Sequence, residues 1–320
     1  MDPMRLGIVI VSYHVRELLR GCLESVYADL NRSPGLQATV VVVDNASTDG
    51  SAEMVASEFP WVTLHASREN LGFARGNNLA LRSLGFDSAA HTHPPDAVLL
   101  LNPDTEVQPG ALAVMSDFLA GNPHAGGCGA RLNYGDGSFQ HSAFRFPGLM
   151  QLFLDLFPLH PRLLETRLNG RYPRRLYEGR EPFAVDFVLG AALMVRAQAI
   201  QQVGLLDEGY FMYAEEMDWC HRLHDAGWPL YLVPTARITH YEGRSARQFR
   251  SAMTVALWRS RLRYYNKYYP RWKRQAAREL LHWGMRVKIM RARKHHRRGL
   301  LSGPALEEEV RAYRQVLALL

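Results

Sequence analysis

The sequence predicts an α/β fold: a mostly parallel sheet with flanking helices, followed by a basic helical C-terminal region. Apolar runs alternate with helical patterns over the first 120 residues, which is typical of parallel sheets with helices on both faces. The run at 97–101 is apolar throughout, as expected of a strand that is buried on both sides. Beyond residue 245, apolar residues recur at helical spacing among many basic residues.

The individual elements follow from these runs and from the turn residues between them. Strands are predicted at Leu6–Val11, Thr39–Val43, Val62–His65, Ala97–Leu101, Phe187–Arg196, Tyr231–Val233 and Arg237–Thr239. Helices are predicted at Val15–Tyr27, Ser51–Glu58, Asn70–Leu84, Pro109–Ala120 and Glu215–Ala226. Residues 121–181 are rich in Gly, Pro, Arg and aromatic residues, so we expect an irregular segment there.

The charge distribution divides the chain into two parts. Residues 241–320 contain 20 Lys and Arg but 5 Asp and Glu, whereas the rest contains 18 and 26, and the net charge is +7. We therefore expect one domain at 1–245 and a basic helical extension at 246–320. Such a block predicts a polyanionic partner, either nucleic acid or an anionic membrane leaflet. An apolar stripe among the basic residues favours a membrane or a packing interface: Ala276, Leu280, Trp283, Val287 and Met290.

Cysteine usage and hydropathy bear on the cellular location. Cys22, Cys128 and Cys220 are odd in number and far apart, which argues against a disulfide framework and against a thiolate zinc site. We read them as reduced thiols of a cytoplasmic protein. No apolar run approaches the ~20 residues that a spanning helix needs, and no signal-peptide cleavage site follows the first strand.

Polar residues directly follow the first two predicted strands. Ser12 and Tyr13 follow the first, and Asp44 and Asn45 follow the second. Open α/β sheets bind ligands at the carboxyl ends of their strands, where a carboxylate can accept a hydrogen bond from a ribose hydroxyl and a tyrosine can pack on a base. Alternatively, Asp44 only caps a turn, because DNAST is favourable turn chemistry. The first strand is not followed by G-x-G-x-x-G, which argues against a dinucleotide dehydrogenase.

The segment SRENLGFARGNN at 67–78 is a second candidate ligand loop. Its Gly72 and Gly76 permit close backbone approach, Asn77 and Asn78 can hydrogen-bond a polar ligand, and Arg75 can pair with a diphosphate. An ordinary loop and helix start is the alternative.

Asn102 and Asp104 follow the buried strand at 97–101. A carboxylate at the mouth of an apolar strand is costly unless a cation lies beside it. Mg²⁺ or Mn²⁺ with phosphate oxygens would supply that cation, because these ions prefer oxygen ligands, and Asp104 is therefore a candidate metal ligand. A helix N-cap role for Asp104 is the competing explanation.

The densest acid cluster lies at the start of the helix predicted at 215–226. Glu215 and Glu216 stand in its first turn, where the helix dipole favours anions, and Asp218 can pair with Arg222 one turn later. Surrounding aromatic residues would raise the pKa of a carboxylate and suit it to act as a general base. His240 follows the last predicted strand; it is either a structural residue or a partner of Asp104 in a metal shell.

Taken in order, these motifs resemble the family 2 glycosyltransferases, in particular their bacterial rhamnosyltransferase-like branch. The resemblance covers about residues 5–270 and is carried by VSY, DNASTDGS, ENLGFARGNN, LLNPDTEV, FVLGAALMVR, DEGYFMYAEEMDWCHRLHDAGW and ITHYEGRS. It implies a GT-A fold with a Rossmann-like, mixed nucleotide-sugar-binding sheet, a nucleoside-diphosphate-sugar donor, a divalent metal (Mg²⁺ or Mn²⁺) and transfer with inversion. The segment at 121–181 would then cover the active site.

The resemblance also implies roles for the polar strand ends. Ser12, Tyr13 and Asp44, with the adjacent Asn45, would bind the nucleoside, and Arg75 would lie near the diphosphate.

Asp104 would be the surviving acid of the D-x-D motif and His240 its distal metal partner. Glu216 would be the catalytic base, with Glu215 adjacent. Asn102 replaces the first acid of D-x-D, and Glu replaces the usual Asp at 216, so either glutamate could be the base.

The sequence therefore predicts an inverting, metal-dependent transferase with a nucleotide-sugar donor and a polysaccharide or lipid-linked glycan acceptor. dTDP-L-rhamnose is the expected donor, and UDP sugars such as galactofuranose are the next choice. The protein would be peripheral on the inner face of the cell membrane and would not bind nucleic acid. A sugar nucleotidyltransferase is disfavoured because no glycine-rich loop follows the first strand. A catalytically inactive, membrane-associated nucleotide-sugar-binding module is the remaining alternative.

Overall fold

The computed structural model describes residues 4–86, 93–241 and 250–320. The chain forms two compact units. The first comprises Met1–Phe146, Tyr172–Phe211 and Glu215–Ser245, and the second comprises Pro147–Arg171, Met212–Ala214 and Ala246–Leu320. The boundary predicted between residues 245 and 246, and the end of the ITHYEGRS motif, lie outside the described residues.

The described residues contain twelve strands. They are β1 (Arg5–Ser12), β2 (Gln37–Asp44), β3 (Thr63–Ala66), β4 (Ala97–Leu101), β5 (Thr105–Val107), β6 (Gly127–Asn133), β7 (Phe139–Gln140), β8 (Ala143–Phe144), β9 (Phe183–Val185), β10 (Phe187–Val188), β11 (Ala192–Arg196) and β12 (Leu230–His240). Ten strands form one sheet in the order β3-β2-β1-β4-β11-β6-β12-β5, with β7 beside β6 and β9 beside β12. β8 and β10 pair separately.

Twelve α-helices lie in the same described ranges. They are α1 (Arg16–Arg32), α2 (Ser51–Glu58), α3 (Gly72–Leu81), α4 (Ala111–Gly121), α5 (Leu149–Leu156), α6 (Pro161–Leu164), α7 (Arg174–Glu178), α8 (Ala197–Val203), α9 (Glu215–Asp225), α10 (Arg250–Tyr268), α11 (Arg271–Arg297) and α12 (Gly303–Leu317). A π-helical turn at Arg82–Phe86 continues α3, and a 3₁₀ turn spans Arg167–Asn169.

The sheet is mixed, as the fold class predicted. β1 runs parallel to β2 and β4, and β2 runs parallel to β3, whereas β11 is antiparallel to both β4 and β6. The carboxyl ends of β1, β2 and β4 therefore lie on the same side of the sheet, and the register places Ser12 beside Asp44. The polar residues that the sequence predicts to bind a ligand follow these strand ends.

Apolar side chains cover both faces of this sheet. Ile8 and Ile10 of β1 pack into a cluster with α1 and α4, while Val9 and Val11 pack into a second cluster that includes α3, α8 and α9. Alternation along the strand sends successive side chains to opposite faces. Burial of each such side chain contributes about 1.5–3 kcal/mol, so the strand ends are held on a rigid scaffold.

The region at 121–181 has more regular structure than the sequence pattern predicts. It contains the seven-residue strand β6, inside the main sheet, and the helices α5, α6 and α7. A Cβ atom at Gly127 would lie 2.5 Å from the carbonyl oxygen of Met194, and one at Gly129 would lie 2.2 Å from Val188. The glycines that suggest a loop are thus required by close strand packing.

Three predicted strands also have different bounds in the structure. The strand expected at Phe187–Arg196 is interrupted between β10 and β11, because β10 pairs with β8 whereas β11 enters the main sheet. The two short strands expected at Tyr231–Val233 and Arg237–Thr239 are one strand, β12, whose register shifts between Val233 and Arg237. Pro234 lies in this shift; it lacks the N–H that a regular ladder needs.

In the second unit, α11 packs on α5 through a different face from the predicted stripe. Ala277, Leu281, Gly284 and Met285 are buried, whereas Trp283 is 58% exposed and Met290 is 59% exposed. A Cβ atom at Gly284 would lie 2.7 Å from Leu156, so glycine allows the close approach that selects this face. None of the helices in the described ranges combines the length and the apolar character needed to cross a membrane.

Candidate active site

The carboxyl ends of β1 and β2 carry three buried polar side chains. Ser12, Asp44 and Asn45 are each at most 3% exposed, and the backbone N–H of Asn45 donates to the carbonyl oxygen of Ser12 over 2.9 Å. Ser12 Oγ, Asp44 Oδ1 and Asn45 Oδ1 have no hydrogen-bond partner in the described part of the chain. Buried polar atoms are rarely left unpaired in native proteins, so these atoms suit a polar ligand such as a nucleoside.

The loops after β1 and β2 hold one another in place. Asp44 Oδ2 accepts from the backbone N–H of Ser47 (2.9 Å), and Ser47 Oγ accepts from the backbone N–H of His14 (3.0 Å). Asp49 Oδ2 accepts from the backbone N–H of Arg16 (3.0 Å). The Tyr13 ring lies 4.1 Å from the His14 ring, centroid to centroid. The sequence did not single out His14 or Asp49; the turn chemistry of DNASTDGS was the available signal.

Helix α3 packs its small residues against the same strand ends. Asn45 Nδ2 donates to the carbonyl oxygen of Gly72 (3.1 Å), and a Cβ atom at Gly76 would lie 2.9 Å from Val11. Gly72 has a φ of 74°, and a Cβ atom there would lie 2.3 Å from the carbonyl oxygen of Phe211. Glycine is therefore required at both positions by close packing, within this unit.

The polar residues of α3 divide into structural and exposed ones. Asn77 donates to the carbonyl oxygen of Phe73 (2.8 Å), and Asn78 donates to that of Leu206 (2.8 Å). Both side-chain NH₂ groups thus donate within the protein, and binding of a ligand by these residues stays a prediction. Arg75 is exposed, and its Nη2 lies 3.4 Å from Glu69 Oε1. Its position near a diphosphate stays a prediction.

Asp104 and His240 meet beyond the end of β4. Asp104 Oδ1 lies 3.3 Å from His240 Nε2, and Asn102 Nδ2 lies 3.4 Å from the same nitrogen. Asp104 and His240 are 5% and 4% exposed. β5 and β12 bring the two together, because Thr105 pairs with His240 and the backbone N–H of Tyr241 donates to the carbonyl oxygen of Asp104.

This pair fits a divalent cation that shares its shell with another ligand. Donor atoms that bind one ion at about 2.1 Å and at right angles lie roughly 3 Å apart, close to the separation of Asp104 Oδ1 and His240 Nε2. Within the described ranges, no cluster of three or more His, Cys, Asp or Glu could hold a metal. A carboxylate and an imidazole would thus leave most of the coordination shell to water or to phosphate oxygens, as Mg²⁺ and Mn²⁺ commonly do.

The two glutamates at the start of α9 differ in environment. Glu215 is 4% exposed. Glu216 is partly buried, and its Oε2 is inaccessible and has no hydrogen-bond partner among the described residues. Burial raises the pKa of Glu216, and this effect outweighs the N–H groups of Glu216 and Met217, which lower it. A carboxylate with a raised pKa suits general-base chemistry.

Asp218 has the structural role that the sequence predicts. It is fully buried, and it accepts hydrogen bonds from Tyr210 Oη (3.3 Å) and from Arg222 Nε (3.0 Å). Arg222 also donates to the carbonyl oxygens of Val203 and Leu205. This network anchors α9 against the loop that precedes it in the chain, and so fixes the start of the helix.

The loop between β10 and β11 connects Glu216 with the end of β4. The backbone N–H of Asn102 donates to the carbonyl oxygen of Ala191 over 3.0 Å. A Cβ atom at Gly190 would lie 3.4 Å from Glu216 Cβ and 3.7 Å from Phe73. The candidate base, Asn102 and the small residues of this loop therefore form one contiguous group.

Gln140 is a neighbour of the site that the sequence analysis missed. Its Oε1 lies 3.2 Å from His240 Nδ1, and the residue is 3% exposed. It lies on β7, within the segment predicted to be irregular. Without a periodic pattern there, no sequence signal distinguished this glutamine from other polar residues of the segment.

Comparison with known proteins gives a consistent result. The profile "Glycosyl transferase family 2" matches residues 7–204. N-acetylglucosaminyl-diphospho-decaprenol L-rhamnosyltransferase of Mycobacterium tuberculosis is 33% identical over 227 residues, which cover 70% of this chain and 73% of that protein.

Two solved structures share the fold at low identity. Mannosyltransferase PcManGT from Pyrobaculum calidifontis, in complex with GDP-Man and Mn²⁺, matches with a TM-score of 0.54 and 15% identity over 99% of this chain and 86% of that chain. GalNAc-T7 with UDP, GalNAc and Mn²⁺ matches with a TM-score of 0.53 and 15% identity over 74% of this chain; the match spans 44% of the GalNAc-T7 chain. The family profile, the rhamnosyltransferase relative and the mixed sheet together show that this chain belongs to glycosyltransferase family 2, in its rhamnosyltransferase-like branch, and has the GT-A fold.

Proposed function

We propose that this glycosyltransferase moves L-rhamnose from dTDP-L-rhamnose to a hydroxyl group of a polysaccharide or lipid-linked glycan. The sugar and the acceptor class are supported by the M. tuberculosis relative, whose name specifies L-rhamnosyl transfer to a diphospho-decaprenol-linked sugar. The choice of nucleotide rests on the resemblance to the rhamnosyltransferase-like branch. A UDP-sugar donor such as UDP-galactofuranose is the next candidate.

The donor nucleotide binds at the carboxyl ends of β1 and β2 in this proposal. Ser12, Asp44 and Asn45 offer unpaired oxygens for the hydroxyl and N–H groups of the nucleoside, and Tyr13 packs on the base. Arg75, exposed on α3, pairs with the diphosphate.

Glu216 acts as the general base. Its carboxylate removes the proton from the acceptor hydroxyl, whose oxygen attacks the anomeric carbon on the face opposite the nucleoside diphosphate. The C–O bond to the diphosphate breaks and the configuration inverts, without a covalent sugar–enzyme intermediate. The observation that carries this assignment is the partly buried Glu216 carboxylate, with one oxygen unpaired, beside the loop that binds Asn102.

Asp104 and His240 hold a divalent metal, Mn²⁺ or Mg²⁺, in this proposal. When bound, such an ion neutralises charge on the leaving diphosphate. Asn102 supplies a neutral carboxamide where D-x-D motifs have an acid, so Asp104 provides the negative charge on the protein side.

The exposed face of α11 attaches the protein to an anionic membrane surface. Trp272, Trp283 and Met290 are 67%, 58% and 59% exposed, and their spacings of 11 and 7 residues are close to whole helical turns. Arg286, Lys294 and Arg297 lie exposed beside this line. Aromatic residues flanked by basic ones are typical of helices that lie in a membrane interface. A lipid-linked acceptor would be presented at that surface, which we place at the inner face of the cell membrane.

A ligand screen tests the donor assignment. Purified protein is heated with dTDP-L-rhamnose, UDP-galactofuranose or no ligand, with and without Mn²⁺, because a ligand that binds the folded state raises the apparent melting temperature. We expect the largest shift with dTDP-L-rhamnose and Mn²⁺, and release of dTDP when an acceptor is added. A larger shift with UDP-galactofuranose would replace the donor, whereas binding without any turnover would indicate an inactive binding module.

A further inference from the structure

Gln140 contacts the side of the His240 ring that faces away from Asp104. Strand β7 carries it, and its backbone pairs with Leu132 of β6. Gln140 Oε1 lies 3.2 Å from His240 Nδ1, while Asp104 Oδ1 lies 3.3 Å from His240 Nε2. All three residues are at most 5% exposed.

A hydrogen-bond acceptor beside Nδ1 favours a proton on Nδ1, which leaves a lone pair on Nε2. A neutral imidazole has one N–H donor and one lone pair. When Nδ1–H donates to Gln140 Oε1, the lone pair is on Nε2, the nitrogen that faces Asp104 Oδ1 and Asn102 Nδ2. Nε2 and the Asp104 carboxylate then present two electron pairs to the same space, which suits a cation.

We infer that Gln140 is a positioning residue that holds His240 as the Nδ1–H tautomer, so that Nε2 is directed with Asp104 at a divalent cation. This inference rests on the metal assignment of the proposed function and adds a residue to it. Ligating histidines commonly donate their second N–H to a carbonyl or carboxylate, and loss of that partner typically lowers metal affinity 10–100-fold.

Two substitutions separate the acceptor function of Gln140 from its volume. Gln140→Met keeps a similar shape and removes the acceptor, whereas Gln140→Glu keeps an acceptor oxygen. Ser142→Ala is the matched control, since Ser142 is 1% exposed and donates to the carbonyl oxygen of Ala130. It therefore removes a buried hydrogen bond two residues away without touching His240.

The first readout is the tautomer itself, in protein saturated with Mg²⁺, a diamagnetic ion, and without donor. Long-range ¹H–¹⁵N spectra at pH 8.5, assigned by comparison with His240→Asn, report which ring nitrogen carries the proton. We expect Nδ1–H in the wild type, Gln140→Glu and Ser142→Ala, and a changed tautomer population in Gln140→Met. A wild-type ring protonated on Nε2, or an unchanged spectrum in Gln140→Met, would overturn the inference.

The second readout is Mn²⁺ affinity, measured by the EPR signal of free Mn²⁺. We expect Gln140→Met to bind Mn²⁺ 10–100-fold more weakly, with Gln140→Glu and Ser142→Ala close to wild type. Equal weakening in Ser142→Ala would overturn the positioning role, because it would show a general packing effect. If the wild type binds no Mn²⁺ but keeps the Nδ1–H tautomer, the metal assignment fails while the contact between Gln140 and His240 stands.

Discussion

Asp104 and His240 are 136 positions apart in the chain, yet the carboxylate Oδ1 and the imidazole Nε2 lie 3.3 Å apart in a buried setting. Pairing of β5 with β12 produces this contact, since Thr105 is opposite His240. Pairing of β12 with β5, the last strand in the order of the main sheet, thus creates the candidate metal site. A charge in such a place is costly when it lacks a partner, which makes the pair sensitive to removal of either member.

Asp104→Ala should abolish sugar transfer and should weaken Mn²⁺-dependent nucleotide binding, because Asn102 cannot replace the lost charge. Isothermal titration of the nucleotide with and without Mn²⁺ measures the second effect. Asp117→Ala, which removes an exposed carboxylate on α4, should leave both properties unchanged. Retained activity in Asp104→Ala would remove this residue from the site, and full activity in EDTA would refute the metal requirement.

Glu216→Gln should lower turnover by roughly 10²-fold or more, because the amide keeps size and polarity but cannot accept the proton. Donor binding should survive, since the substitution leaves the β1 and β2 ends intact. Glu215→Gln should have a smaller effect. Steady-state kinetics with saturating donor separate these outcomes: the reverse ranking would assign the base to Glu215, and two active variants would contradict the mechanism.

The raised pKa of Glu216 predicts a stability effect whose sign can be measured. Burial makes the folded state bind this proton more tightly than the unfolded chain does. Stability is therefore lost as pH rises from the unfolded-state pKa of about 4.3 through the raised folded-state pKa. Glu216→Gln removes that penalty, so it should be more stable than the wild type at neutral pH, and the difference should vanish toward pH 4.

Urea unfolding at several pH values measures this difference. Glu58→Gln provides the opposite case, because its hydrogen bond with Arg20 lowers the pKa of Glu58; this substitution should not stabilise the protein at neutral pH. A Glu216→Gln variant that is less stable than the wild type at neutral pH would show that the carboxylate is favourably paired in the folded state.

The strands that carry the site were predictable because parallel, doubly covered strands are apolar along their whole length. Ala97–Leu101 and the helix Ser51–Glu58 have the predicted bounds. The polar residues that follow β1, β2 and β4 were recognisable for the same reason, since they interrupt apolar runs. Their contacts depend on register, which the sequence does not specify.

The sequence pattern of a glycine-rich segment does not distinguish a loop from a closely packed strand, because glycine is favourable in both. In β6, Gly127 and Gly129 allow neighbouring backbone and side chains to approach closely, yet the same residues favour loops in isolation. The position of Gln140 beside His240 was not predicted, because Gln140 lies in the same region at 121–181. In α11, Gly284 moves the packing face toward Leu281 and Met285, and periodicity alone cannot show which of two adjacent stripes is buried.

The exposed stripe of α11 predicts membrane binding that depends on both charge and aromatic residues. Each basic residue near an anionic leaflet contributes about 1 kcal/mol, so neutralising Arg286, Lys294 and Arg297 together should weaken binding by roughly 10²-fold. Liposome co-sedimentation measures this binding, which should require anionic lipid, fall with salt, and disappear when residues 271–320 are deleted.

The aromatic residues of the same face contribute as well. Trp272→Ala with Trp283→Ala should also reduce binding, whereas Trp61→Ala, at a residue of the first compact unit, should not. Equal binding to neutral liposomes would refute the electrostatic part, and full binding of the double tryptophan variant would exclude this face of α11 as the attachment surface.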